Sequence, residues 1–223
     1  MESGPELLYL WPGEPADYRC VAMRFSRELG PVGPDTILPD RIARAAPRRR
    51  AEWLAGRRCA SEALQLLTGQ GACPGMAPDR SPLWPDGTLG SISHSGDVAV
   101  AIAARAGACR GIGIDIERVM AEPEAGEIAV QAMTAQERCR FEGDAFSVTL
   151  AFSAKESLFK ALYPLLRRPM SFQLSELIAW GDQGTARLRL VEELSPEFPA
   201  SREIEARFAR LGDLLLTRVL VTA

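Results

Sequence analysis

Carboxylates recur in this sequence at spacings that would bring them together. In GIGIDIERV, residues 111–119, Ile112, Ile114 and Ile116 fall on one face of an expected strand, and Gly113, Asp115 and Glu117 fall on the other. The two acids then stand about 7 Å apart at their backbones, so two oxygen ligands converge on one side. Gly113 on that face removes a side chain and leaves room for a phosphate, or its metal, to approach the main chain. A solvated strand face with a glycine at a bulge fits the same residues. Further on, Glu156 and Lys160 are four positions apart on an expected helix and share a face, with Ser153 one turn earlier. They lie about 40 to 80° from the apolar stripe, close to its edge. An ordinary surface ion pair accounts for that spacing equally well.

Anion-binding groups lie upstream. His94 sits in SISHSGD among three serines and could donate to a phosphate from either ring nitrogen. Arg48, Arg49, Arg50, Arg57 and Arg58 crowd one expected helix. Arg50 and Arg57, seven apart, align beside its apolar stripe, where guanidinium forks could grip a phosphate. Arg80 follows on a loop. A solvated basic face and a hydrogen-bonded turn histidine are the plainer readings. The chain has no GxxxxGK[ST] loop; GIGIDI lacks the third glycine of a dinucleotide fingerprint, and neither a GxSxG elbow nor a CxxC pair occurs.

Periodicity supplies the elements that would hold these groups. A strand is expected over Arg19–Ser26, then a proline-bearing loop over 31–40 and a helix over Pro47–Leu67. Trp53, Ala60, Leu64 and Leu67 form that helix's stripe, and Gly69 and Gly71 end it. SISHSGDVAVAIAARAG predicts two strands around a Ser-Gly-Asp turn, followed by the 111–119 strand. After an acidic loop, Thr134 and Glu137 form a capping-box signature. A long helix follows Asp144, with Val148, Phe152, Phe159, Leu162 and Leu166 as its buried stripe, and runs to about Pro164. Strands are expected from Ser171 onward. Strands and a helix thus recur in each half, with a boundary near Gly107 to Gly111.

With 223 residues, 47% hydrophobic and 25% charged, a folded soluble protein is expected. A net charge of −3 gives no global field for nucleic acid or an anionic membrane. No stretch suggests a transmembrane segment, and residues 1–15 lack a basic leader, so a cytosolic location is expected. Five scattered cysteines and a single histidine argue against a zinc site. Any divalent metal would rest on carboxylates, which favours magnesium or manganese.

Taken in order, AGRRCASEAL, GSISHS, GIGIDIE and FSAKESLFK resemble the 4'-phosphopantetheinyl transferase superfamily. The likeness is to the longer, pseudo-dimeric type that serves siderophore and peptide synthetases, and it runs through about Arg50 to Tyr163. Phe152 stands where the family's helix motif usually opens with tryptophan. The resemblance implies an α+β fold of two similar halves, each a small, mostly antiparallel sheet on a long helix, with the ligand cleft between them. Residues 1–110 would carry the coenzyme A phosphate-binding groups, and 111–223 the magnesium site and catalytic helix. Asp115, Glu117 and Glu156 would hold magnesium, and Lys160 would meet the pyrophosphate. Arg50, Arg57, Arg80, Ser93 and His94 would bind coenzyme A. Glu156 and Lys160 would be catalytic in moving phosphopantetheine to a serine of an apo acyl or peptidyl carrier protein, with release of 3',5'-ADP by a monomeric enzyme. Two rivals use the same residues: a magnesium-dependent phosphohydrolase, and a non-catalytic module that binds coenzyme A or the carrier.

Overall fold

A computed structural model describes residues 6–7, 17–26, 37–141 and 143–222. Most of the expected 31–40 loop, and residues 1–15 apart from 6–7, lie outside them. The chain is α+β and divides into two compact units, Met1–Cys109 and Arg110–Ala223.

The first unit contains β1 (Glu6–Leu7), β2 (Tyr18–Arg24), α1 (Asp40–Ala43), α2 (Pro47–Thr68), β3 (Gly75–Met76), β4 (Pro82–Leu83), β5 (Thr88–Ser95) and β6 (Val98–Arg105). Its main sheet runs β1-β2-β6-β5, antiparallel throughout. Helix α2 starts with Pro47 in its first turn, where the missing N–H costs nothing, and stops at Gly69, whose φ of 81° closes a left-handed cap. Trp53, Ala60, Leu64 and Leu67 are buried as the spacing predicts, against Val21, Met23 and the alanines of β6. Truncating a side chain as enclosed as Leu64 costs about 2–5 kcal/mol. Alanines on β6 and Gly56 on α2 let helix and sheet approach closely. A Cβ on Gly56 would lie 2.7 Å from Ile92 Cγ2.

The second unit contains β7 (Gly111–Arg118), α3 (Glu122–Ala132), α4 (Ala135–Phe141), α5 (Ala145–Leu166), β8 (Ser175–Gly181), β9 (Thr185–Leu190), β10 (Glu203–Leu211) and β11 (Leu214–Val221). Its antiparallel sheet runs β7-β11-β10-β9-β8, and α5 packs on β7 and β11. Asp144 caps α5 by accepting from the Ser147 N–H at 2.8 Å. The helix passes Pro164 and ends two residues later at Leu166, where the cap residue Arg167 adopts a left-handed φ of 51°. The capping box is present, with Glu137 N–H on Thr134 Oγ1 at 3.2 Å and Thr134 N–H on Glu137 Oε2 at 2.7 Å.

Three local expectations need correction. The acidic stretch before Thr134 is helix α3. Pro123 and the acids Glu122 and Glu124 suit its first turn, and Ala125, Ala129 and Ala132 bury one face. The strands expected directly from Ser171 are preceded by a short 3₁₀ turn over Phe172–Leu174. On α5, Val148 and Leu162 are fully buried, but Phe159 is half-buried and meets Tyr163, at 5.4 Å between ring centres. Small residues, Ala151, Ala154 and Ala161, complete the stripe instead.

Candidate functional site: an acid–lysine cluster and a basic cavity

In the second unit, the face of β7 that carries Gly113 and Asp115 is the one covered by α5. A Cβ on Gly113 would collide with the Ser157 carbonyl, and one on Gly111 with that of Ala161. The expectation that Gly113 leaves room for a phosphate or metal is therefore corrected: the helix backbone fills that space. This close approach brings α5 side chains onto the strand. Asp115, only 2% exposed, accepts from Ser153 Oγ at 2.8 Å and from Lys160 Nζ at 2.7 Å. Lys160 also donates to the Ile114 carbonyl at 3.1 Å. Behind Ser153 stands Thr217 of β11, directly paired with Asp115 across the strands. Its hydroxyl is 2.8 Å from both Ser153 Oγ and Ser157 Oγ. A buried chain of hydroxyls thus fixes the Asp115 carboxylate.

Lys160 therefore faces the strand acid, and the helix pair Glu156–Lys160 is no simple surface bridge. Among the described residues Glu156 makes no hydrogen bond or ion pair, and it is half-buried. Burial pushes its pKa up, Lys160 opposes that, and the Asp115 charge adds to it. A carboxyl held above its usual range is a stronger proton acceptor than an exposed one. Glu117 lies two residues along β7 and is half-buried.

No three His, Cys, Asp or Glu side chains converge into a metal cage among the described residues. Donor chemistry nevertheless fits a hard cation. Asp115, Glu117 and Glu156 offer oxygen only, and Glu156 has a desolvated carboxyl that positive charge would relieve.

The other lysine on α5 has a different place. Lys155 is buried and donates to Glu137 Oε2 at 2.7 Å and to the carbonyls of Ala132 and Phe172 at 2.7 and 3.0 Å. Desolvation lowers its pKa, and Glu137 opposes the shift. Glu137 also accepts the Leu177 N–H at 2.6 Å, so this pair ties α5 to α4 and β8.

The first unit holds a cavity of about 670 Å³ ringed by Arg41, Arg49, Arg57, Arg80 and His94, with Glu52, Trp53 and Met76 in its wall. Arg57 is 5% exposed, with its guanidinium 4.9 Å from the Trp53 ring centre. Its Nη2 donates to the Gly75 carbonyl at 3.0 Å, while its buried Nε has no hydrogen-bond partner. Burial pulls its pKa down to about 10, with Cys73 opposing and Arg49 adding to the shift, so it stays charged at neutral pH. Arg80 reaches the cavity from a turn with φ 72°, a left-handed conformation uncommon outside glycine and asparagine.

Among the expected coenzyme A residues, Arg57, Arg80 and His94 line this cavity, while Arg50 and Ser93 do not. Arg50 donates to the Ala43 carbonyl at 3.2 Å. Strand alternation sends Ser93 to the face of β5 opposite Ile92 and His94. Arg41, Arg49 and Glu52 join the lining without having been singled out as site residues. Arg49 was one of five crowded arginines, and only the Trp53–Gly56 face of α2 distinguishes it. Glu52 was legible as the i+3 and i+4 neighbour of Arg49 and Arg48.

Residues 38–104 match the 4'-phosphopantetheinyl transferase N-terminal domain, and residues 111–210 match the 4'-phosphopantetheinyl transferase superfamily domain. Enterobactin synthase component D of Salmonella typhi is 42% identical over 126 residues, 55% of this chain and 52% of that protein. The chain spans about half the length of the Salmonella relatives it matches. The 4'-phosphopantetheinyl transferase Svp of Streptomyces mobaraensis is 35% identical over 192 residues, 82% of this chain and 76% of that protein. PptT of Mycobacterium tuberculosis is 28% identical over 198 residues, covering 83% and 86%. No described helix is long and apolar enough to cross a membrane. With both domains matched in order and the Svp alignment covering most of both chains, the protein belongs to the 4'-phosphopantetheinyl transferase superfamily.

Proposed function

We propose that the chain transfers the 4'-phosphopantetheine group of coenzyme A to a serine of an apo acyl or peptidyl carrier protein and releases 3',5'-ADP. The observation that carries this reading is the Asp115–Lys160–Glu156 cluster, within the segment matched by the superfamily domain. The residues of 1–110 would bind the phosphates of coenzyme A, and those of 111–223 would carry out the transfer. Arg57, Arg80 and His94 supply cations and a donor in the cavity, and Arg50 and Ser93 remain within the same proposed binding segment. Asp115, Glu117 and Glu156 are the residues that would hold magnesium, or manganese in its place. That ion would neutralise charge on the pyrophosphate.

Glu156, with its raised proton affinity, accepts the proton of the carrier serine hydroxyl. The serine oxygen bonds to the β-phosphorus of coenzyme A, and the bond from that phosphorus to the bridging oxygen breaks. Its electron pair leaves with 3',5'-ADP. Lys160 donates to the pyrophosphate oxygens as the leaving charge grows, which strengthens its contact in the transition state. Siderophore or peptide synthesis is the pathway class that the enterobactin synthase relatives suggest. Coenzyme A and carriers are both cytosolic reagents for such a reaction, and a monomer suffices for it.

The test is the intact mass of an apo-carrier protein incubated with this protein, coenzyme A and magnesium. A serine-linked phosphopantetheine adduct is the expected result. Coenzyme A consumed with no adduct would indicate hydrolysis instead.

A further inference from the structure

The basic cavity of the first unit contains one acid, Glu52, in contact with three cationic or polar groups. Arg48 Nε donates to Glu52 Oε1 at 3.0 Å, and Arg49 Nη1 donates to Glu52 Oε2 at 3.2 Å. The same Arg49 nitrogen is 2.8 Å from His94 Nε2, which itself lies 3.8 Å from Glu52 Oε2. Glu52 is enclosed, at 12% side-chain exposure, while Arg48 and Arg49 are 61% and 52% exposed. The carboxylate is therefore the fixed member, and the long side chains gather around it.

A guanidinium can only donate, so its contact with His94 makes Nε2 the acceptor. The ring proton then sits on Nδ1. With Glu52 holding Arg49, the Arg49 N–H stays on Nε2 and favours that tautomer, and among the four arginines that line the cavity Glu52 is the one carboxylate.

We propose that Glu52 is a positioning residue for anion binding, one that pins Arg49 and through it sets the tautomer and orientation of His94. It acts on the ligand only through its neighbours. The inference rests on the coenzyme A reading of this cavity for the identity of the ligand, though the Arg49–His94 geometry stands independently of it.

The experiment compares the wild-type chain with Glu52→Gln, which keeps shape and removes charge, and Glu52→Asp, which keeps charge on a shorter arm. Because His94 is the chain's only histidine, its ring nitrogens give a single pair of ¹⁵N signals. In the free wild-type protein these are expected to show Nδ1–H. In Glu52→Gln they should shift to a mixture of tautomers. Calorimetric titration with coenzyme A should show at least a tenfold loss of affinity in Glu52→Gln, with partial recovery in Glu52→Asp.

Unchanged ring signals in Glu52→Gln would overturn the proposal whatever the ligand. Unchanged or tighter coenzyme A binding by Glu52→Gln would also overturn it, since the carboxylate would then be a bystander or a competitor for the anion. Failure of the wild-type chain to bind coenzyme A would count against the proposed ligand, while the ring signals of the free protein would still decide the role of Glu52.

Discussion

Replacing Asp115 by alanine should damage the fold as well as the activity, because this acid is enclosed by groups that depend on it. Its side chain accepts from Lys160 Nζ at 2.7 Å and from Ser153 Oγ at 2.8 Å, and Ser153 is fully buried against Thr217. Removing one member of a buried pair costs about 3–5 kcal/mol, because the partner is left desolvated. Lys160 keeps 23% of its side chain in solvent, so the lower end applies, about 3 kcal/mol. For a chain of this size each kcal/mol moves the melting point by about 2–4 °C, which gives a fall of about 6–12 °C. Asp115→Asn retains an acceptor for Ser153 and should lose less. Much of the damage comes from the stranded ammonium, so Asp115→Ala with Lys160→Met should melt no lower than Asp115→Ala alone. Calorimetry and guanidinium titration would measure all three. An Asp115→Ala protein melting within about 2 °C of wild type would show that the cluster is more solvated than its burial implies, and the reasoning would fail.

Glu156→Gln should raise stability at neutral pH while removing activity. Burial lifts the folded pKa of Glu156 above its unfolded value. Its favourable contribution is therefore complete below the unfolded pKa and is lost as pH rises through the folded one. Above that window the ionised group is a burden that glutamine lacks. Melting curves should place the variant above wild type at pH 7, with the gap closing below about pH 4, and transfer should fall at least about 100-fold. A lower melting point at pH 7 would contradict this. Gly113→Ala should destabilise by at least about 1–3 kcal/mol, because its Cβ meets the Ser157 carbonyl rather than a yielding side chain. Gly126→Ala on α3, where a Cβ meets nothing within 4 Å, should gain about 0.5–1 kcal/mol. Similar melting shifts for the two would undo the packing argument. Arg57→Lys keeps a charge but loses the fork, so it should weaken coenzyme A more than dephospho-coenzyme A in a direct binding assay. Equal weakening of both would assign the 3'-phosphate to another arginine.

Local signals carried much of the fold in the sequence. The cap at Gly69, the Asp144 N-cap, the Thr134–Glu137 box and the alternation in β7 each depend on neighbours a few residues apart. What escaped depends on distant partners. Thr217 enters the site only because β11 pairs with β7 in a register that sets it opposite Asp115, and no local pattern announces that. Gly113 was legible as a missing side chain, but the sequence does not say that a helix occupies the gap. Arg49 and Arg50 are separated by one step of α2. The choice between them turns on whether Arg50 finds the Ala43 carbonyl, a tertiary contact. Helix α3 was missed because its acid-rich composition resembles a loop, and its alanine stripe is too weakly hydrophobic to stand out.

The two lysines of α5 have a practical consequence. Lys155 and Lys160 are the only lysines in the sequence; every other basic side chain is arginine, apart from His94. Lys155 is sealed at 2% side-chain exposure, and Lys160 retains 23%. In the folded protein an amine-selective reagent therefore has one reachable ε-amino group. Reductive ¹³C-methylation would place an isotopic reporter on that nitrogen and on the terminal amine, with no engineered cysteine and no mutation. Its chemical shift would follow the environment of Lys160 as candidate nucleotides are titrated in. Lys155, sealed during that labelling, would take up isotope only from reagent present while the helix opens, so a second labelling under destabilising conditions would report unfolding of the scaffold beneath the site.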